Sequence, residues 1–165
     1  MRLLPVCLLL ALPGLAGAEA LTLHFQRHNG SVPPPYRQSC ILTIHADGSA
    51  EWVYVRGYDE QDPAARKAIA FTLSQAELDT LMRDLDALQA CTTRWQAQDP
   101  APIGGGSETL SILRNGDRCR IPAYPIADQQ ARAQQIFRRI GATDPNGLAV
   151  RLQRLLVAEP LVEPH

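Results

Sequence analysis

Two turn dipeptides, Asp47-Gly48 and Asn115-Gly116, constrain this chain more than any other feature in it. Each stands between stretches that alternate apolar and polar residues: Ile41 to Ala46 and Ser49 to Val55 around the first, Thr109 to Arg114 and Asp117 to Ile121 around the second. Such pairs favour a two-residue type I′ turn, because both residues tolerate positive φ and the turn matches the twist of antiparallel strands. A two-residue turn also fixes register. In the first hairpin Ala46 then faces Ser49, Ile44 faces Glu51, Leu42 faces Val53 and Cys40 faces Val55. Cross-strand partners share a face. The predicted apolar side is therefore Cys40, Leu42, Ile44, Val53 and Val55, and the other side is Ile41, Thr43, His45, Trp52 and Tyr54. The second hairpin places Leu110, Ile112, Cys119 and Ile121 on its apolar side, with Ser111, Leu113, Arg118 and Arg120 opposite.

The remaining elements follow from periodicity and punctuation. Leu21, Leu23 and Phe25 alternate with Thr22, His24 and Gln26, the mark of a half-buried strand. Asn29-Gly30 opens a loop whose Pro33-Pro34-Pro35 run favours a stiff, extended polyproline conformation. Residues 57–66 are polar and read as a loop, and Lys67 to Phe71 as a short strand. Ser74-Gln75-Ala76-Glu77 fits a capping box, and Leu78, Leu81, Met82, Leu85 and Leu88 form one apolar stripe on a helix ending near Ala90. A loop rich in Pro and Gly runs from Cys91 to Gly106. Asp128 is placed to cap a helix with Ala133, Ile136, Phe137 and Ile140 facing the core, closed by Gly141. Asp144-Pro145 opens a final helix bearing Leu148, Leu152, Leu155 and Leu156. Sequential hairpins imply an antiparallel sheet. The expectation is an α+β domain: two hairpins and an N-terminal strand, one packed amphipathic helix and two C-terminal helices.

The first twenty residues have a different purpose. One Arg precedes an apolar run from Leu3 to Leu15, and small residues then offer cleavage sites after Ala18 or Ala20. This is the pattern of a cleavable signal peptide, too short to span a bilayer. The expected organisation is a signal at residues 1–20, one globular domain at 21–158 and a frayed tail at 159–165, in a periplasmic or secreted protein. Processing leaves 147 or 145 residues with a net charge of −2 or −1. Near-neutrality argues against nucleic acid as a partner, and no second apolar run points to a membrane after cleavage. The basic residues are fifteen Arg and one Lys, a bias that GC-rich codons account for.

Cys40, Cys91 and Cys119 survive processing, enough for one disulfide in an oxidising compartment. Cys119 lies on the core side of the second hairpin, and Cys91 follows the helix expected to pack there. The favoured pair is therefore Cys91–Cys119, ahead of Cys40–Cys119 and Cys40–Cys91. No spacing suits structural zinc, and no Gly-x-Ser-x-Gly, His-Glu-x-x-His or phosphate-loop motif occurs. His24 and His28 lie four apart on an extended segment, about 13 Å, which is too far for one ion. The reading assigns no catalytic residue, metal or cofactor. A binding surface is placed at His24, His45, Trp52 and Tyr54, edged by Pro33, Pro34 and Pro35, because Trp and Tyr on an uncovered sheet face suit recognition; the alternative is that the final helix folds back and covers them, since Leu148, Leu152 and Leu155 need a surface to pack on.

The layout resembles the emfourin family of small bacterial inhibitors of thermolysin-like metalloproteases. The likeness runs from Leu21 to Ile140. It rests on an opening strand into Arg27-His28-Asn29-Gly30, the Leu73-Ser74-x-x-Glu77-Leu78 helix start, and a late hairpin followed by a helix. The family usually carries Arg-Ser-Gly-Gly where this chain has residues 27–30, and the proline triplet, cysteines and last helix are foreign to it. The resemblance implies a binding role without naming inhibitory residues. The function expected is that of an exported, soluble, non-catalytic binding domain, a proteinase inhibitor being its specific version. Its partner would be another protein in or outside the cell envelope. The alternatives are a small periplasmic enzyme or thiol/redox protein, and a structural envelope accessory.

Overall fold

The computed structural model describes residues 20–143 and Gly147, apart from the Pro35 side chain. The signal segment up to Glu19, the expected last helix and the tail lie outside the described residues. Strand β1 spans Leu21–His28, β2 Gln38–His45, β3 Ser49–Arg56 and β4 Arg66–Thr72. Helix α1 (Gln75–Ala87) follows, then β5 (Ser107–Arg114), β6 (Asp117–Ile121) and α2 (Ala127–Gly141). The strands form one sheet in the order β4-β3-β2-β1-β5-β6, every pairing antiparallel. The chain is thus α+β, with β1 in the middle of the sheet joining the two hairpins.

The helices start much as the sequence dictates. Ser74 accepts from the Glu77 N–H while the Glu77 carboxylate accepts from the Ser74 N–H, a complete capping box contributing about 1 kcal/mol. Its stripe buries Leu78, Leu81 and Leu85. Helix α2 buries Ala133, Ile136, Phe137 and Ile140, all four as expected. Asp128 is not its cap. Ile126 holds the cap position with no side-chain hydrogen bond, and Asp128 lies in the first turn, where its charge still favours the helix N-terminus. Nor does Gly141 close it with a left-handed residue; the helix runs through Gly141 to an α-region cap at Ala142. Both helices pack on one sheet face, against Leu23, Phe25, Leu42, Ile44, Leu110, Ile112 and Ile121.

The second hairpin has the predicted register: Arg114 pairs with Asp117, Ile112 with Cys119 and Leu110 with Ile121. Asn115 and Gly116 both hold positive φ, at 52° and 92°, as a type I′ turn requires. The first hairpin does not. Ile44 pairs with Ala50, Leu42 with Trp52 and Cys40 with Tyr54, one residue out of the expected register. The cause is local. The Asp47 carboxylate accepts from both the backbone N–H and the hydroxyl of Ser49, and Gly48 alone takes positive φ, at 80°. The loop is then Ala46-Asp47-Gly48, a three-residue turn closed by the Gly48 N–H on the His45 carbonyl. Leu73 donates to the Gly48 carbonyl and fills the space a side chain there would need.

A slip of one residue exchanges the faces of a strand. Trp52 and Tyr54 therefore join the core at 3% and 2% exposure, while Val53 and Val55 turn to the opposite face. Phe25 sits at the centre of the aromatic cluster, edge-on to Trp52 at 6.4 Å and tilted against Phe137 at 5.9 Å. Cys91 and Cys119 are joined, with Cα atoms 5.2 Å apart, and Cys40 lies outside the disulfide, half-buried against the core. No described helix is long and apolar enough to cross a membrane.

Candidate functional site

The chain leaves β1 at His28, enters β2 at Gln38, leaves β3 at Arg56 and enters β5 at Ser107. Antiparallel pairing brings these four points to one end of the sheet, so residues 29–37, 57–65 and 99–106 must cluster there. The cluster is braced by its own polar groups. Asn29 donates its side-chain amide to the Tyr36 carbonyl at 2.7 Å and accepts from the Gln38 N–H at 3.0 Å. Tyr58 donates its hydroxyl to the Val32 carbonyl at 2.7 Å, and the Arg37 guanidinium stacks 5.2 Å from the centre of its ring. Gln26 reaches across to Glu60 at 3.2 Å. Gly30 has φ of 102°, and a Cβ there would stand 2.2 Å from the Gly105 carbonyl oxygen. Substituting Gly30 by Ala should therefore cost at least the 1–2 kcal/mol of a left-handed non-glycine residue, roughly. Thermal denaturation of Gly30→Ala, with Gly104→Ala as a control in open space, measures the added price of the loop contact.

His28 is the hub of this end. It lies between Ser39 and Ser107 in the β2–β1–β5 register, and both serines are buried. Its Nδ1 receives the Gly30 N–H at 3.1 Å and an Arg37 N–H at 2.7 Å. Since guanidinium and backbone N–H can only donate, Nδ1 carries the lone pair and the ring proton is on Nε2. Nε2 then donates to the Ser107 hydroxyl, its close neighbour. A serine nucleophile needs the reverse arrangement, with Nε2 accepting the hydroxyl proton. This pair is wired as a structural clamp.

Burial, with Arg37 beside it, holds the His28 pKa below the ordinary 6.5. The unfolded chain therefore takes up this proton more readily than the folded one. The clamp's stability is complete above about pH 6.5 and declines as pH falls below it. His28→Gln should flatten the fall in Tm between pH 7 and pH 5. An unchanged slope would assign that fall to other groups.

The residues singled out from sequence divide into four groups. Trp52 and Tyr54 are core, as the register slip requires, and do not form an uncovered recognition face. His24 and His45 remain on the face opposite the helices, exposed, with His24 Nδ1 3.4 Å from the Thr43 hydroxyl. Pro33 and Pro34 are exposed, but the run is extended only at Pro33; residues Pro34–Tyr36 form a 3-10 turn closed by Tyr36 N–H on the Pro33 carbonyl. Asn29, by holding the Tyr36 carbonyl, bends the chain there. Cys119 is joined to Cys91, the pair favoured from the sequence.

The large apolar side chains exposed among the described residues are Tyr36, Tyr58 and Ile103, the last fully. All three belong to the clustered loops. The chain matches no family model, and no curated protein matches its sequence.

Proposed function

We propose that this chain is an exported, non-catalytic binding domain that engages another protein through the braced loop end. The observation carrying this reading is the convergence of Tyr36, Tyr58 and Ile103 on one end of the sheet, the two tyrosines on loops tied to one another and to His28 and Ile103 on the loop that enters β5 beside them. Exposed aromatic and aliphatic side chains are what protein recognition uses, and for Tyr36 and Tyr58 the braced loops already meet much of the ordering cost. Pro33 and Pro34 flank Tyr36 and belong to this surface; His24 and His45 do not share it. A proteinase inhibitor is the specific version, since a projecting apolar tip such as Ile103 suits insertion into a cleft and the emfourin-like layout points the same way.

Ala20 favours the earlier signal cleavage. It donates to the Asn115 side chain at 3.1 Å and accepts from the Asn115 N–H at 2.8 Å, so a cut after Ala18 preserves the start of the fold. The mature protein should then begin at Glu19 on N-terminal sequencing.

Capture from periplasmic extract, followed by mass spectrometry, tests the main reading when wild type is compared with a Tyr36→Ser/Ile103→Ser variant of equal Tm. A partner held by the wild type and lost by the variant supports it. Equal recovery, or no enriched partner, contradicts it. Titration against a thermolysin-like metalloprotease tests the specific version, which requires stoichiometric loss of protease activity.

A further inference from the structure

The helix layer stops short of the loop end of the sheet. On β2, Leu42 and Ile44 are fully buried beneath it, but Cys40, next on the same face, is only half-buried. Beyond the covered part lies an open cavity of about 850 Å³ between the sheet and the C-terminal half of α2. Its lining is of two kinds. Phe25 and Phe137 are buried and apolar, whereas Arg27, Glu108 and Arg138 are polar and reach solvent. The cavity runs to the feet of the loops at Asn29 and Ser107.

A segment that fits such a lining has an apolar side and a polar side, and one follows α2 directly. The helix runs to Gly141, which lines the cavity, and Thr143 is two residues further on. Gly147 holds φ of 66° and is half-buried, so the chain turns there beside the fold. Five peptide steps separate Thr143 from Leu148, a reach of at most about 17 Å. Leu148, Leu152 and Leu155 then recur at helical spacing, with Arg151, Gln153 and Arg154 between them. Gly141 adds an independent sign. It is helical and needs no positive φ, and glycine weakens a helix relative to alanine. A Cβ there would meet nothing within 4 Å among the described residues, which leaves room for a second backbone to pass close.

We propose that the cavity is the docking site of this chain's own residues 148–157, which lie outside the described residues. They fold back along the C-terminal half of α2, with Leu152 and Leu155 against Phe25 and Phe137 and the intervening polar residues at the mouth. The core face of the sheet is thereby closed at the loop end, and the feet of the loops gain support from below. Tyr36, Tyr58 and Ile103 do not line the cavity, so the proposal stands or falls apart from the partner they meet.

Two measurements on the full-length mature chain test it. In methyl-labelled protein, NOEs should connect the Leu152 and Leu155 methyls to the ring protons of Phe25 and Phe137. The second measurement follows the Cys40 thiol, which lines the cavity and, once the signal is removed, is the cysteine outside the disulfide. Its reaction with DTNB should be at least about tenfold faster in Leu152→Glu/Leu155→Glu than in wild type. Gln153→Glu/Arg154→Glu, which keeps the leucines, should stay within about twofold of wild type. NOEs from these leucines to Leu113 on the open sheet face, or to neither phenylalanine, overturn the proposal whatever the variants do. So do equal thiol rates in wild type and the leucine variant. Wild-type protection that grows with protein concentration assigns the cavity to a second copy and overturns it equally.

Discussion

Replacing Cys91 and Cys119 together by serine should lower stability by about 3–4 kcal/mol, or roughly 10–15 °C in Tm. The bond closes a segment of 28 residues that runs from the end of α1 to β6. Much of that segment has few other restraints. Its first part is held by the Gln129 side chain on Gln96 and Arg94, by Arg132 on Gln89 and Thr93, and by a bridge between Ala97 and Pro125. Beyond Asp99, Gly104 and Gly105 both hold positive φ in open space, and Ile103 projects from the loop. Cutting the crosslink releases this length of chain in the unfolded state, which is where the entropic effect resides. Urea denaturation of the double variant beside the wild type measures it. A loss under about 1 kcal/mol would mean that the polar anchors alone order the segment.

Truncating Phe25 to alanine should cost about 3–5 kcal/mol, the range for a buried phenylalanine. Phe25 is 2% exposed and holds the Trp52 and Phe137 rings together across the sheet–helix layer. It also lines a cavity between the sheet and α2, so the void left by Ala would join an existing space rather than collapse. Equilibrium unfolding decides the magnitude.

What the sequence made legible follows the reach of each signal. Asn115-Gly116 determined a register because both residues adopt the positive φ the pair advertises. Asp47-Gly48 carried the same signal, but a neighbour outside the dipeptide changed the outcome. Ser49 draws the Asp47 carboxylate into an Asx turn, and the loop gains a residue. That one-residue difference moved Trp52 and Tyr54 from the expected binding surface into the core. The capping box, both helix stripes and the disulfide were readable because each depends on local spacing or on one face of one hairpin.

The candidate site was readable only at Pro33 and Pro34. Tyr36, Tyr58 and Ile103 are far apart in the chain, and nothing local marks them as neighbours. They meet because β1 inserts between β2 and β5, a choice of strand order that pairwise hairpin rules do not contain. The His28 clamp was hidden for the same reason: Ser39 and Ser107 reach His28 from strands on either side of it.

We propose the braced loop end as the place where this protein meets its partner. Photo-cross-linking in the exporting cell tests it most directly, with a benzoylphenylalanine placed singly at Tyr36, Ile103, His24 or Arg118. The first two positions lie on the loop end, and the last two on the sheet face opposite the helices. A discrete protein adduct is expected from Tyr36 and Ile103 and none from His24 or Arg118. Adducts from His24 or Arg118 alone would contradict it and move the interface to the open sheet face.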